Sequence, residues 1–507
     1  MRRMSRSMKA ERCATFVLAL LALPVLIAVA PAPAGAETAA QLFPPPPLAP
    51  LAMTGADGAH VFSTEHNGVF NGHRIRYRAT VAETVVEDPG AVPAADLYSF
   101  SYVAEGMAHA AARPVMFIFN GGPGASSVFL HLCSLGPRIL RDCTPTGTSN
   151  PATPLVDNPA SPLDVADLVF IDPTDTGWSH TLPGVSPGQF HSVDGDSDEV
   201  TALIVWWLRK HGRLGSPVYV YGESYGSMRG VAVVRDLARS NPKVPVAGLM
   251  LGGFAITFGR GNGTPDPIWD ALRLPTAASM AWHYGRIDNK HQTWEQAVDK
   301  AAVFARTQYV GALMLGHQLD AATRRRIIGR LPALCGIPQS YFLAHDTIEV
   351  GDFAGALLQD QGLVLDGNNG LWTRRAGAKS PKDGYIAYSM GINRYARDEL
   401  RVRGLDSYQI LTPNGMQVFE SWNFRTSGAP SLEDTLAQEM RNDPRFRLMV
   451  VQGRYDTQTQ VADTRYVLDQ TDIPRQRLTM AYFDGGHMLQ PKPEVMSALH
   501  AFLAGGR

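Results

Sequence analysis

The chain has 507 residues, of which 45% are hydrophobic and 18% are charged, and its formal net charge is −1. A chain of this length can bury a large core, or one core with an inserted subdomain. The balanced charge gives no broad attraction to nucleic acid or to a membrane surface, so neither is an expected partner. No cysteine or histidine motif has metal-ligand spacing, so we expect no metal and no cofactor.

The first 36 residues have the pattern of an export signal. A basic start, Arg2 to Arg12, precedes the apolar run CATFVLALLALPVLIAVA and the small residues Ala34 and Ala36. This order is typical of a signal peptide that is cleaved before Glu37. The alternative is a membrane anchor, but the small residues directly after the apolar run favour cleavage. We therefore expect an exported protein, periplasmic or extracellular, that is free of the membrane after cleavage.

Residues 37–58 form a proline-rich linker that should be extended. The following segment, HNGVFNGHRIRYRATV, contains two Asn-Gly pairs, at 67–68 and 71–72, and an alternation of polar and apolar residues. Asn-Gly is a strong hairpin-turn signal. The alternation of polar and apolar residues indicates strands with one solvent-exposed face. The segment LYSFSYV continues the same pattern.

From residue 114 the pattern changes to short apolar runs: VMFIF, DLVFID, VYVY, GLML and RLMVV. Such runs are typical of strands buried on both faces of a parallel sheet, and helical segments separate several of them. One helix should begin at Asp196 and Glu199, which resemble a capping box. We therefore predict a doubly wound, mostly parallel α/β core. The core comprises residues 59–259 and 408–507, and a helical cap is inserted at 260–407.

The segment VYVYGESYGS places Ser224 in a G-x-S-x-G turn between a strand and a helix. This arrangement is the nucleophile elbow of α/β hydrolases, in which a strained turn exposes the serine hydroxyl at the sheet's carboxyl edge. The alternative is a plain strand-to-helix turn, because short glycine motifs occur by chance in a glycine-rich chain. The flanking strand and helix patterns favour the elbow.

A serine hydroxyl needs a base, and in this fold the acid and the histidine follow the serine in the chain. Asp456 directly follows the strand pattern RLMVVQG, and His487 precedes the last predicted helix. We expect Asp456 to orient His487, which would accept the proton of Ser224. The rivals are His500 for the base, and Asp463 and Asp484 for the acid.

An oxyanion hole needs two donors of hydrogen bonds. One should be the backbone N–H of Tyr225, directly after the nucleophile. The other should come from the loop Asn120-Gly121-Gly122-Pro123-Gly124, which follows an earlier strand pattern. The alternative for this loop is a simple chain reversal.

Four cysteines occur, and Cys13 falls in the signal. A disulfide between Cys133 and Cys143 is possible in an exported protein, and the odd count leaves one thiol over.

The segments NGGPGASS, DLVFIDPTDTGWSH, GESYGSMRG, VVQGRYDTQTQ and DGGHM together resemble the serine carboxypeptidase family. The resemblance runs from about residue 114 to the C-terminus, with the cap matched loosely. It implies an α/β-hydrolase fold and hydrolysis of peptides at the C-terminal residue through an acyl-enzyme. The residues to which it assigns roles are Ser224, Asp456 and His487 (triad), Gly122 and Tyr225 (oxyanion hole), and Asn120 and Glu223 (substrate carboxylate).

Two carboxyl groups meet favourably only when they share a proton, so we expect Glu223 to favour peptidase activity at acid pH. Three positions depart from the family pattern: Ile118 replaces a tryptophan, Ala125 a cysteine and Ser134 a glutamate that helps to hold the carboxylate. The carboxylate site therefore has fewer binding side chains than the family pattern. Arg229, one helical turn beyond Ser224, is either a compensating ligand or a solvent-facing side chain.

These features favour an exported serine-type carboxypeptidase that acts on peptides. An esterase or acyltransferase on the same scaffold is the main alternative. A binding protein that has kept only the fold is less well supported, because it needs neither the serine nor its partners.

Overall fold

The computed structural model describes residues 53–107, 110–257, 266–378, 384–426 and 431–505. The predicted signal peptide and residues 37–52 of the predicted linker lie outside these ranges. Within them, no helix combines the length and apolar character needed to span a bilayer.

Fourteen strands are present in the described part of the chain. They are β1 (Thr54–Phe70), β2 (His73–Glu87), β3 (Pro93–Ala104), β4 (Val115–Phe119), β5 (Arg138–Leu140), β6 (Leu155–Asp157), β7 (Asp167–Asp172), β8 (His180–Thr181), β9 (Val218–Glu223), β10 (Val246–Gly252), β11 (Leu363–Leu365), β12 (Thr373–Arg375), β13 (Arg447–Gly453) and β14 (Leu478–Phe483). The main sheet has the order β1-β2-β3-β7-β4-β9-β10-β13-β14, with β8 paired to β3.

The six strands from β7 to β14 in this order pair in parallel. They contain the five short apolar runs, and every residue of β4, β7 and β9 is buried. The prediction of a mostly parallel sheet is confirmed.

The antiparallel edge of the sheet consists of β1, β2 and β3. Asn71-Gly72 forms the turn between β1 and β2, and both residues have positive φ, 47° and 84°. Asn67-Gly68 does not form a turn, because it lies inside β1 opposite Arg76 and Ile75. There the continuous ladder overrides the local turn preference.

Fifteen α-helical segments accompany the strands in the described ranges. They are α1 (Val128–Leu130), α2 (Pro145–Thr148), α3 (Val193–Lys210), α4 (Gly226–Arg239), α5 (Pro267–His283), α6 (Trp294–Phe304), α7 (Val310–Leu315), α8 (Ala321–Cys335), α9 (Gln339–Ala344), α10 (Phe353–Ala356), α11 (Ile386–Asp398), α12 (Gly415–Ser421), α13 (Leu432–Asn442), α14 (Val461–Asp469) and α15 (Pro493–Ala504).

Helices cover both faces of the sheet. On one face, Leu203 of α3 and Val231 of α4 share a hydrophobic cluster with Phe117 of β4. On the other face, Leu499 of α15 clusters with Met116, the neighbour of Phe117 in β4. Because successive side chains of a strand point to opposite faces, this division confirms the doubly wound arrangement.

Helix α3 has its N-cap four residues earlier than the capping pattern predicted. Its N-cap is Ser192, whose side chain accepts a hydrogen bond from Gly195 N. Asp196 and Glu199 are buried inside the helix instead of capping it. The capping-box interpretation was therefore wrong.

The helices α5 to α10 and the hairpin β11–β12 lie between β10 and β13 in the chain, as a helical insertion would. Most of their apolar residues form a third hydrophobic cluster, separate from the two on the sheet. Helix α11 instead contributes to the cluster that contains α15. The bounds 260–407 for the cap stay a prediction. A disulfide joins Cys133 to Cys143, and Cys335 is a buried free thiol.

Candidate active site

Ser224 occupies the bend between β9 and α4. Its φ is +61°, a left-handed conformation that is uncommon for a residue with a side chain. Its N–H donates to Gly252 O at 2.8 Å, so the neighbouring strand β10 holds the bend. A Cβ at Gly222 would overlap Gly226 O, so the turn can be this tight only with glycine there. The turn has the conformation expected of a nucleophile elbow.

Asp456 and His487 are hydrogen-bonded to each other. The distance from Asp456 Oδ2 to His487 Nδ1 is 3.0 Å, and the carboxylate is completely buried. Thr459 N donates to Asp456 Oδ1 at 2.9 Å, and Thr459 Oγ1 donates to Oδ2 at 2.7 Å. Burial lowers the pKa of His487, but the charge and hydrogen bond of Asp456 outweigh it, so the pKa lies above its usual value. The pair can therefore stabilise an imidazolium.

Backbone contacts bring the His487 loop to the Ser224 bend. Gly252 accepts the N–H of Ser224, and a Cβ on the next residue, Gly253, would lie 3.0 Å from His487 Cε1. Leu489 N, two residues after the histidine, donates to Glu223 Oε1 at 2.7 Å. The serine, the histidine and the aspartate thus follow the carboxyl ends of β9, β14 and β13.

Two of the three rivals, His500 and Asp484, have other partners. His500 lies in α15, and its Nε2 is 2.7 Å from Asp164 Oδ2. Asp484 is exposed and accepts a hydrogen bond from Arg454 at 2.9 Å. Asp463 is half-buried in α14, where burial raises its pKa to about 8, so it is a poor candidate for a permanently charged acid.

The glycine-rich loop after β4 lies directly against the serine turn. A Cβ at Gly121 would be 2.5 Å from Tyr225 N and 2.6 Å from Gly226 N, so no larger residue can approach as closely. Gly121 O accepts the N–H of Ala125 at 3.1 Å. In a trans peptide the next N–H, that of Gly122, points the opposite way. Gly122 is exposed, whereas the Tyr225 side chain is buried.

Glu223 and Asn120 form a buried pair next to the turn. Asn120 Nδ2 donates to Glu223 Oε2 at 2.7 Å, and Leu130 N donates to Asn120 Oδ1 at 2.9 Å, which fixes the amide. Burial raises the pKa of Glu223 to about 7, in spite of the hydrogen bonds from Leu489 N and Asn120. A carboxyl group that is partly protonated near neutral pH can accept a second carboxylate as a neighbour.

Both alternatives for Arg229 need correction at this site. Arg229 neither faces solvent nor reaches a carboxylate site beside Glu223: it is fully buried and ion-paired with Asp196 at 2.7 Å. Its place four residues after Tyr225, on the buried stripe of α4, was the available signal. Ser134 is also buried, and its hydroxyl donates to Leu130 O at 3.0 Å.

A segment of the insertion, residues 366–370, was not anticipated at the site. Asn368 O accepts the N–H of His487 at 2.8 Å, and Gly370 N donates to Tyr455 O at 2.8 Å. Asn369 is buried and forms an isolated bridge with Asp456. The inserted region therefore holds both the acid and the histidine loops. Among the described residues, no group of three or more acidic, histidine or cysteine side chains could hold a metal ion.

Comparison with known proteins shows similarity to serine carboxypeptidases. The family model described as serine carboxypeptidase matches residues 91–323. Serine carboxypeptidase-like 2 of Arabidopsis thaliana is 29% identical over 173 residues, which are 33% of this chain and 37% of that protein. The pheromone-processing carboxypeptidase of Puccinia graminis f. sp. tritici is 29% identical over 192 residues, 37% of this chain and 26% of that protein.

The matched regions thus span about a third of the length of the curated plant relatives. The crystal structure of a prohormone-processing carboxypeptidase from Saccharomyces cerevisiae aligns with a TM-score of 0.52 and 14% identity. The alignment covers 82% of this chain and 87% of that one. This likeness shows that the two proteins share the α/β-hydrolase fold.

Proposed function

Because the chain belongs to the serine carboxypeptidase family, we propose that it is a serine hydrolase that releases C-terminal amino acids from peptides. The observation that carries the proposal is the Asp456–His487 hydrogen bond beside the strained Ser224 turn. A binding protein would need neither the strain nor the buried carboxylate.

In the proposed reaction, Ser224 Oγ attacks the carbonyl carbon of the last peptide bond while His487 accepts its proton. Asp456 holds the imidazole by Nδ1–H and stabilises its positive charge. The N–H groups of Gly122 and Tyr225 bind the oxyanion of the tetrahedral intermediate. His487 then gives the proton to the leaving amine, and water attacks the acyl-enzyme by the same steps.

We assign the terminal carboxylate of the peptide to Asn120 and protonated Glu223. The buried Glu223 carboxyl, with a pKa of about 7, can keep its proton at mildly acid pH and donate it to the substrate. Ionised Glu223 would repel the same group. This site would give preference for a free C-terminus.

An esterase or acyltransferase is a second candidate, and Ser134 favours it. This buried side chain supplies no acid to the carboxylate site, where the family pattern has a glutamate. The Glu223–Asn120 pair alone would hold a terminal carboxylate less firmly. We also propose that the chain is exported, on the pattern of residues 1–36.

The test compares three substrates: an N-blocked dipeptide, the same dipeptide as its C-terminal amide, and an N-blocked amino-acid ethyl ester. A carboxypeptidase releases the free amino acid, and kcat/KM for the amide falls by at least about tenfold because a charged hydrogen bond is lost. Turnover of the ester alone would establish the second candidate. No turnover by the wild type beyond that of Ser224→Ala would contradict both.

A further inference from the structure

Arg229 and Asp196 form an ion pair directly behind the Ser224 turn. Arg229 Nε donates to Asp196 Oδ2 at 2.7 Å, and the two side chains are 0% and 1% exposed. The guanidinium carbon lies 5.2 Å from the centre of the Tyr225 ring. A buried ion pair often adds little to stability relative to apolar side chains of the same size. Its place in the fold therefore suggests another role.

The pair connects the two backbone segments that flank the proposed oxyanion hole. Arg229 Nη1 donates to Asn120 O, the carbonyl at the start of the glycine-rich loop. Asp196 Oδ2 accepts a hydrogen bond from Tyr225 Oη at 2.9 Å. Trp422 Nε1 donates to the same hydroxyl at 3.0 Å. One guanidinium and one carboxylate thus fix both the loop that carries Gly122 and the residue after Ser224.

We propose that Arg229 and Asp196 are positioning residues that set the spacing between the N–H groups of Gly122 and Tyr225. The inference rests on the proposed function of those two groups. The planar guanidinium can donate in two directions at once, to Asp196 and to Asn120 O. Lysine keeps the charge but has no planar fork, so it cannot reproduce both bonds with the same geometry. The proposal therefore predicts a defect that is specific to the transition state.

The test uses Arg229→Lys, with Arg235→Lys as the matched control. Arg235 is in the same helix, is 5% exposed, and pairs with Asp236 and with Asp194 of α3. It lies ten residues, nearly three helical turns, beyond Tyr225. For both variants we would measure kcat and KM with an N-blocked dipeptide. For the same variants we would also measure the inhibition constant of a peptide boronic acid. This inhibitor forms a tetrahedral anionic adduct with the serine.

Arg229→Lys should lower kcat by about 10- to 100-fold, while KM changes by less than about threefold. The inhibition constant of the boronic acid should rise by a factor similar to the fall in kcat. Arg235→Lys should keep both values near those of the wild type. Equal boronic acid affinity for the two variants would overturn the inference, as would a loss that appears in KM alone.

If Arg229→Lys does not fold, Tyr225→Phe provides the second variant. It removes the hydroxyl that donates to Asp196. The variant should raise the inhibition constant of the boronic acid by a larger factor than it raises KM of the dipeptide. Unchanged boronic acid affinity in Tyr225→Phe would then overturn the proposal. An inactive wild type that binds no boronic acid contradicts the proposed function itself, which separates that failure from a failure of this inference.

Discussion

Replacing Glu223 by glutamine should remove a pH-dependent loss of stability. Burial raises the pKa of Glu223 from 4.5 to about 7 in the folded protein. Between these values the folded state binds more protons than the unfolded state, so the free energy of unfolding falls as the pH rises. Linkage gives a loss of about 2–3 kcal/mol between pH 5 and pH 8. Glutamine does not titrate, so the contribution of Glu223 to this loss should disappear, while that of Asp463 remains.

Both oxygens of Glu223 accept a hydrogen bond, from Leu489 N and from Asn120 Nδ2, and the NH2 group of glutamine can accept neither, so one of these bonds is lost at every pH. We therefore expect Glu223→Gln to be less stable than the wild type at pH 5, and the deficit to shrink by about 2–3 kcal/mol at pH 8. Urea unfolding followed by tryptophan fluorescence measures the difference at each pH. The exposed Glu349 provides the control, because Glu349→Gln should follow the wild type at both. Parallel stability curves for Glu223→Gln and the wild type would refute the reasoning.

Three further predictions concern the acid, the loop and the disulfide. Asp456→Asn should lower kcat by about 10⁴-fold with little change in KM, because the imidazole loses its orienting charge. Steady-state kinetics test this prediction. An unchanged kcat with a raised KM would contradict it. Gly121→Ala should lower kcat by at least about 100-fold, since its Cβ would displace Tyr225 N. Gly215→Ala, whose Cβ would meet no atom within 4 Å, should be fully active, and equal activity of the two variants would count against the close approach. Replacing Cys133 and Cys143 together by serine should lower the free energy of unfolding by about 2–3 kcal/mol, as a loop closed over 10 residues implies; urea unfolding without reductant that shows no change would exclude this contribution.

Local patterns were enough to predict the buried strands and the Ser224 turn. Short apolar runs have few other interpretations, and the turn joins a strand to a helix within ten residues. Asp456 and His487 were accessible because chain order and strand ends restrict where partners can lie. Their hydrogen bond is now observed, whereas the roles of all three residues stay predictions.

Long-range contacts explain what the sequence did not reveal. Asp196 fits a capping pattern locally, but its partner Arg229 comes from another helix and removes it from the surface. Asn67-Gly68 forms no turn because β2 continues alongside it. Asn368 reaches the histidine loop from an insertion more than a hundred residues away in the chain. No local periodicity encodes such contacts.

Labelling with a fluorophosphonate tests the central claim most directly, because this reagent requires a nucleophilic serine with a working base. Peptide mapping by mass spectrometry should find one adduct, on Ser224 of the wild type. The rate of labelling should fall by at least about 10³-fold in His487→Gln, since the serine then has no base. An unlabelled wild type, an adduct on another serine, or equal labelling of His487→Gln would contradict the account.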